Sequence, residues 1–165
     1  MILNLKQIFE VIGATKPFEF SLDLNDLELW GEKPFKTPVK INGKVENCCS
    51  VVTLAYTAEF TLDTNCANCL KSIKKEFSLD FNHIIVRELN DDDNDELICA
   101  EDDNIVLDEL VTSDVLLSIP FKILCKDDCK GLCSICGADK NENPCDCKPK
   151  SGISHFSALK ELFDE

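Results

Sequence analysis

The fold of this chain is decided by residues 51–62, which read VVTLAYTAEFTL. Apolar side chains occupy every second position there, which is the period of a β-strand with one buried face. Residues 18–24, 39–45 and 77–85 show the same alternation. The sequence therefore predicts an α+β fold built on an antiparallel β-meander, partly barrel-like, in which residues 51–87 form a long hairpin.

One point of the meander allows two interpretations. Asn42-Gly43 could form a tight two-residue hairpin turn. However, the apolar parity of Val39, Ile41 and Val45 continues across it. We therefore expect one strand to run through Gly43, followed by a turn at residues 46–50.

Short helices are expected at three places. Apolar residues at helical spacing over 5–12, with Asn4 as N-cap, predict the first helix. Asp108 would cap the second helix, which would pack Leu110, Val111 and Leu117 and end before Pro120. The third falls within residues 151–165.

These elements predict three parts of the chain. Residues 1–120 would form the meander domain, with an acidic loop at 88–104. Residues 121–150 would form a cysteine-rich metal module. Residues 151–165 would form a C-terminal helix that packs back on the domain.

The net charge of −14 is concentrated in one segment. Residues 88–121 carry twelve acidic residues and no Lys or Arg, whereas the remainder carries nineteen acidic and seventeen basic residues. This composition does not suit generic binding to a phosphate backbone, which depends on Lys and Arg. It suits a basic partner such as a ribosomal protein. The alternative is a solvated acidic loop.

The cellular compartment is expected to be the cytoplasm. No stretch reaches the roughly 18 apolar residues that a membrane helix needs. The first residues lack the basic segment followed by an apolar one that marks a secretory signal. Thiols in the cytoplasm are kept reduced, so eleven cysteines indicate metal rather than disulfides.

A four-cysteine zinc site is predicted near the C-terminus. Residues 133–137 read Cys-Ser-Ile-Cys-Gly, which is the spacing of a knuckle that presents two thiolates to one ion. Cys145 and Cys147 follow closely enough to complete a tetrahedron with Cys133 and Cys136. Cys129 could instead replace one of the last two.

A second site is predicted from two other pairs, Cys66 with Cys69 and Cys125 with Cys129. It would connect the tip of the long hairpin to the C-terminal module. The alternative is that Cys66 and Cys69 are reduced thiols at a turn. We expect structural zinc, although an iron–sulfur cluster also uses four thiolates.

Catalytic chemistry is disfavoured by the rest of the chain. The two histidines, His83 and His155, are expected in the core and at the surface, not at an open metal site. There is no G-x-S-x-G elbow or Gly-rich phosphate loop. We therefore predict no catalytic residues, no small-molecule substrate and a protein that is not an enzyme. The enzymatic alternative is a thiol oxidoreductase that uses Cys66 and Cys69.

The remaining cysteines and the lysines near the sites have simpler interpretations. Cys48, Cys49 and Cys99 lack chelating partners in sequence and are expected to be bystanders. If the two cysteine groups meet, the lysines near them could form one basic edge that contacts RNA phosphates; these are Lys71, Lys74, Lys75, Lys122, Lys126 and Lys130. Alternatively, they offset the net charge of a four-thiolate zinc site.

Several blocks of the sequence resemble the YceD family, the large ribosomal RNA subunit accumulation proteins. The C-terminal signature of that family is similar to Asp128-Cys-Lys-Gly-Leu-Cys133, Cys136-Gly137, Asn141 and Cys145-x-Cys147. Cys66-Ala-Asn-Cys-Leu70 resembles its C-x-R-C-L element, with Asn68 where arginine is common. A role that rests on that arginine is not carried over.

The resemblance implies participation in making or protecting large-subunit ribosomal RNA, without an established enzymatic activity. Some members lack the C-terminal cysteines, so the metal would be a stabilising device. The expected partner is a ribosomal protein, an RNA-processing enzyme or pre-ribosomal RNA. A direct RNA-binding zinc protein is the alternative.

Overall fold

The computed structural model describes residues 1–88 and 97–147. The chain divides into two compact units. The first unit comprises Met1–Asn65 and Ser72–Ile123, and the second comprises Cys66–Lys71 and the chain from Leu124 onward. The three-part division at residues 120 and 150 stays a prediction, and the C-terminal helix lies outside the described residues.

The first unit is built on a five-stranded sheet. Its strands are β2 (Thr15–Leu22), β3 (Val39–Cys48), β4 (Val51–Asn65), β5 (Ser72–Val86) and β6 (Leu97–Cys99). The first four follow one another antiparallel in chain order, and β6 pairs parallel to β5. The meander and its long β4–β5 hairpin are thus confirmed, in an open sheet rather than a closed barrel.

One face of this sheet forms the hydrophobic core, as the alternation requires. Every even-numbered residue of β4 from Val52 to Leu62 is buried. On β3, Ile41 and Val45 lie opposite Ala58 and Leu54 and are buried with them. Full burial of such an aliphatic side chain contributes about 1.5–3 kcal/mol.

Gly43 lies inside β3, so the expectation of one through-strand is confirmed. It pairs with Phe18 of β2 on one side and with Tyr56 of β4 on the other. A Cβ at this position would lie 2.5 Å from the Tyr56 Cβ and 2.6 Å from the Phe18 ring. The glycine is required because two neighbouring aromatic residues fill the space above it.

The β3–β4 turn falls within the predicted range and is tight. Cys49 and Ser50 have positive φ values of 54° and 69°. Two consecutive left-handed residues define a type I′ turn, whose twist matches that of the flanking strands.

Two helices and a small sheet complete the part of the first unit that the structure describes. The helices are α1 (Lys6–Glu10) and α2 (Leu107–Ser118), and β1 (Ile2–Asn4) pairs with β7 (Asn104–Val106). The second helix ends before Pro120 as predicted, but Asp108 lies in its first turn instead of capping it. Leu117 was wrongly assigned to the core, since it is 85% exposed and Val115 is buried in its place.

The acidic segment is only partly an irregular loop. Residues 97–99 form β6 and residues 104–106 form β7, so the prediction of a loop throughout 88–104 is wrong there. Each of these strands has only three residues and is flanked by acidic residues, so no alternation of apolar and polar side chains is visible in the sequence. Residues 89–96 lie outside the described part.

In the part of the chain that the structure describes, no helix combines the length and apolar character needed to cross a membrane.

Candidate metal centre

The second unit brings the eight predicted ligand cysteines into two groups of four. The hairpin cluster consists of Cys66, Cys69, Cys125 and Cys129, and the C-terminal cluster of Cys133, Cys136, Cys145 and Cys147. Within each cluster all four Sγ atoms lie within 4.8 Å of one another. Cys129 belongs to the hairpin cluster, so it does not replace Cys145 or Cys147. That the clusters bind metal stays a prediction.

Each cluster contains a knuckle, and the two knuckles have the same backbone hydrogen bonds. In the hairpin cluster the Cys66 N–H donates to the Lys71 carbonyl at 2.8 Å, and the Leu70 N–H donates to the Cys66 carbonyl at 2.9 Å. At the same offsets, Cys133 donates to Ala138 at 2.8 Å and Gly137 donates to Cys133 at 2.9 Å. The chain therefore builds the same thiolate-presenting turn twice.

The residue after each knuckle has a left-handed backbone. Gly137 has a φ of +73° and Leu70 has a φ of 59°. For a residue with a Cβ this conformation costs about 1–2 kcal/mol. The Leu70 side chain is also 66% exposed. The C-x2-C-G pattern was visible at Cys133, whereas the leucine hid the equivalent turn at Cys66.

The sulfur spacing fits a tetrahedral metal site better than a disulfide. In the hairpin cluster the Cys66 and Cys129 Sγ atoms lie 3.7 Å apart, and so do those of Cys69 and Cys125. A disulfide bond measures about 2.05 Å. Four sulfurs placed tetrahedrally at about 2.3 Å from a zinc ion lie about 3.8 Å from one another.

Two thiols of the hairpin cluster have pKa values shifted in opposite directions. Burial raises the pKa of Cys66, but backbone N–H groups, first that of Cys69, outweigh it and hold the pKa at about 6. Burial and the neighbouring Cys129 thiol raise the pKa of Cys125 to about 12. One thiolate therefore forms readily and the next resists. A divalent cation would lower the pKa of all four thiols, because it stabilises every thiolate around it.

The C-terminal cluster repeats this electrostatic pattern. Backbone N–H groups of Cys136 and Ile135 lower the pKa of Cys133 to about 6. Hydrogen bonds with the Cys136 and Cys145 thiols raise the pKa of Cys147 to about 12. Each cluster thus combines one thiol of lowered pKa with two of raised pKa, which are Cys69 and Cys125 in the hairpin cluster and Cys145 and Cys147 in the C-terminal cluster.

Burial in the second unit is centred on sulfur. Among its described residues, the buried side chains are those of Cys66, Cys69, Cys129 and Cys133. Nearby apolar residues such as Leu132 and Ile135 are exposed. A module of this size without an apolar core usually depends on a metal or disulfides for its fold. The donor set of four thiolates per cluster fits zinc in a closed, structural site.

Hydrogen bonds to neighbouring residues orient the ligands. The Cys125 N–H points at the Cys66 Sγ at 3.4 Å, and the Asn68 Nδ2 donates to the Cys129 carbonyl at 3.0 Å. Asn141 donates from Nδ2 to the Cys129 Sγ at 3.4 Å. The sequence pattern gave no role to Asn68 or Asn141, because a ligand spacing does not reveal which amides hold the ligands.

The other residues considered from the sequence lie elsewhere. Cys48, Cys49 and Cys99 belong to neither cluster. His83 faces the core side of β5, where its Nε2 lies 2.7 Å from Asp114 of α2. Tyr56 also donates to Asp114. His155 lies outside the described residues.

Three of the six lysines of the predicted basic edge, Lys71, Lys74 and Lys126, lie close to acidic side chains of their own unit. Lys71 lies 3.4 Å from Glu142 in the second unit, and Lys74 lies 3.8 Å from Asp63 in the first. In the described part of the second unit, four lysines stand against five acidic residues. This balance supports charge compensation around the clusters more than a phosphate-binding surface.

Fold and site together define a protein with an open β-sheet unit and a cysteine-rich unit suited to structural metal ions. Comparison with protein-family models matches residues 54–163 to the family described as large ribosomal RNA subunit accumulation protein YceD. This match covers about two thirds of the chain, from β4 through both clusters. The chain therefore belongs to the YceD family.

Individual relatives agree with this assignment. Over 127 residues the chain is 25% identical to the uncharacterized protein YlbN of Bacillus subtilis, covering 76% of this chain and 74% of the relative. It is 24% identical over 112 residues to the uncharacterized protein ML1660 of Mycobacterium leprae, covering 66% and 49%. A chloroplastic YCED homolog 1 of Zea mays is 35% identical over 65 residues, covering 39% and 22%. No solved structure matches significantly.

Proposed function

We propose that this protein is a non-enzymatic factor that supports the accumulation of large-subunit ribosomal RNA in the cytoplasm. It acts through a ribosomal protein or a ribonucleoprotein partner, and zinc holds its second unit in shape. The observation that carries the proposal is the family match, which spans the long hairpin and both cysteine clusters. The family is named for large ribosomal RNA subunit accumulation.

The charge of the chain supports a basic partner. Acidic residues of α2, such as Glu109, and of the preceding turn, such as Glu101 and Asp102, are exposed. With a net charge of −14, the protein attracts basic proteins over distances of about a Debye length. Ribosomal proteins have this chemistry, so a nascent large-subunit particle is the expected target.

A complementation experiment tests the role. Cells that lack the gene should show a lowered ratio of large-subunit to small-subunit ribosomal RNA, which the wild-type chain restores. Cys69→Ser and Cys136→Ser should restore it poorly, because each removes one ligand of a cluster. Cys48→Ser is the matched control and should restore it fully. A normal RNA ratio in the deletion strain would refute the proposed role.

A pull-down at low salt tests the partner. We expect large-subunit precursors, ribosomal proteins or an RNA-processing enzyme to be recovered, with a yield that falls as salt is raised. Recovery that persists after nuclease treatment favours a protein partner. Recovery of none of these molecules would contradict action through a ribonucleoprotein.

Direct RNA binding is the first alternative, and the lysines provide its test. Affinity for RNA should then fall steeply with salt and be lost when Lys71, Lys74 and Lys75 are replaced by alanine. The acidic balance of the second unit counts against this alternative. Unchanged binding in the triple variant would exclude it at these residues.

A thiol oxidoreductase is the second alternative, and the lowered pKa of Cys66 is the observation in its favour. Its sulfur is fully buried, however, whereas a reactive thiolate must be accessible. Thiol titration with and without a chelator separates the two. Thiols that react only after metal removal would argue for a structural site.

A further inference from the structure

One hydrogen bond in the second unit connects the two clusters. Asn141 lies between Cys136 and Cys145, in the loop that joins the two ligand pairs of the C-terminal cluster. Its Nδ2 nevertheless donates to the Sγ of Cys129, a member of the hairpin cluster, at 3.4 Å. By sequence the residue belongs to one cluster, and by its bonding it serves the other.

The Asn141 side chain is fixed by further bonds. Its Oδ1 accepts the Lys130 N–H at 2.9 Å, directly beside the Cys129 ligand. Its own N–H and Nδ2 both donate to Asp139 Oδ1, at 2.9 and 2.7 Å. The next bond along the loop runs from the Lys140 N–H to the Gly131 carbonyl at 3.0 Å. The loop of the C-terminal cluster is thus hydrogen-bonded along residues 130–131.

The same segment is held from its other side by the hairpin knuckle. The Leu132 N–H donates to the Asn68 carbonyl at 3.2 Å, and Asn68 Nδ2 donates to the Cys129 carbonyl at 3.0 Å. Residues 129–132 are therefore hydrogen-bonded to the hairpin knuckle on one side and to the loop of the C-terminal cluster on the other. A change in the position of the Asn141 side chain therefore reaches the Cys129 sulfur directly through Nδ2, and the backbone next to Cys129 through Oδ1.

We propose that Asn141 is a positioning residue that couples metal binding at the two clusters. A metal ion in the C-terminal cluster closes the loop between Cys136 and Cys145 and fixes the Asn141 amide. The amide then stabilises the Cys129 thiolate and raises the metal affinity of the hairpin cluster. Because coupling is reciprocal, a metal in the hairpin cluster raises the affinity of the C-terminal cluster by the same factor.

The expected change in metal affinity can be taken from other residues that hydrogen-bond to metal ligands. Hydrogen-bond partners of metal ligands usually change affinity by about 10- to 100-fold. The inference rests on the structural metal role within the proposed function. It adds that the two clusters bind metal cooperatively. A half-loaded protein should be rare when metal is limiting.

The test is a cobalt titration of the full-length chain, in competition with a chromophoric chelator. Cys136→Ser with Cys147→Ser empties the C-terminal cluster, so the thiolate-to-cobalt bands then report the hairpin cluster alone. We expect this double variant to bind cobalt there about 10- to 100-fold more weakly than the wild type. Asn141→Ala should weaken the hairpin cluster by a similar factor, and the two effects should not multiply when combined.

Asn143→Ala is the matched control, since it replaces an exposed asparagine of the same loop. Circular dichroism of the sheet should be unchanged in every variant. Equal hairpin affinities in Asn141→Ala and Asn143→Ala would overturn the inference, and so would an affinity that does not change when the C-terminal cluster is emptied. Either result leaves the proposed function standing. A wild-type chain that binds no cobalt would instead remove the metal role itself.

Discussion

Two glycines of the second unit offer a matched test of how the hairpin cluster is packed. Gly131 and Gly137 have nearly equal left-handed φ values, +70° and +73°. Alanine at either position costs about 1–2 kcal/mol in backbone strain. A Cβ at Gly131 would lie 2.9 Å from the Asn68 carbonyl oxygen, whereas one at Gly137 would meet nothing within 4 Å. The difference between the variants therefore isolates that contact.

The Asn68 carbonyl cannot withdraw freely, because it accepts the Leu132 N–H at 3.2 Å. Overpacking of this kind costs about 1–3 kcal/mol. Since about 1.4 kcal/mol is a factor of ten in affinity, Gly131→Ala should weaken metal binding at the hairpin cluster by an additional 5- to 150-fold, roughly. Gly137→Ala should weaken the C-terminal cluster only by the shared backbone cost.

Competition with a chromophoric chelator measures both losses relative to the wild type, and circular dichroism checks that the sheet is intact. If the two alanine variants lose affinity equally at their own clusters, the contact between Gly131 and Asn68 has no energetic role. A larger loss for Gly137→Ala would contradict the packing argument outright.

Three further predictions concern the stability of the sheet and the regions of the chain that each cluster stabilises. Burial, and then the hydrogen bond to Asp114, raise the pKa of Tyr56, the single tyrosine of the chain. The stability linked to its protonated phenol is thus fully present below about pH 10 and is lost as the pH rises further. Phenolate absorbance should then appear only together with loss of the sheet signal, and a titration near pH 10 with an intact sheet would disprove this. Gly43→Ala should lower the free energy of unfolding by about 1–3 kcal/mol through overpacking. Strand propensity alone would make this substitution stabilising by about 0.5–1 kcal/mol. An unchanged or raised stability in a denaturant melt would therefore show that the aromatic neighbours move aside. Cys133→Ser should increase hydrogen exchange over residues 121–147 while the sheet stays folded, whereas Cys69→Ser should also lower the melting temperature of the sheet. Identical melting curves for the two variants would speak against that difference.

The sequence predicted the parts of the fold that depend on one periodicity. Strand alternation located β4 and β5 because one face of each meets the core. It missed β6 and β7, since three-residue strands are too short for a pattern and lie among acids. It misplaced Leu117, because α2 buries only a narrow stripe that includes Val115.

The grouping of the cysteines was predictable from the sequence, but the hydrogen bonds around them were not. Cysteine spacing indicates which sulfurs can meet, and the pairs named from sequence lie together. The equivalence of the two knuckles was hidden because Leu70 occupies a position where glycine is the usual choice. Asn68 donates to the Cys129 carbonyl across 61 residues of sequence, and Asn141 donates to the Cys129 sulfur across 12, and the spacing of the cysteines reveals neither hydrogen bond.

The order of the ligands along the chain makes the two clusters unequal. An ion shared by Cys69 and Cys125 closes a loop that contains residues 70–124, and so β5, β6, β7 and α2. Cross-linking a loop of that length removes about 4 kcal/mol of entropy from the unfolded chain, against about 2.7 kcal/mol for the short loop between Cys136 and Cys145. A metal ion in the hairpin cluster would therefore stabilise the part of the first unit from Ser72 to Ile123 through the chain itself, while one in the C-terminal cluster would stabilise its own segment.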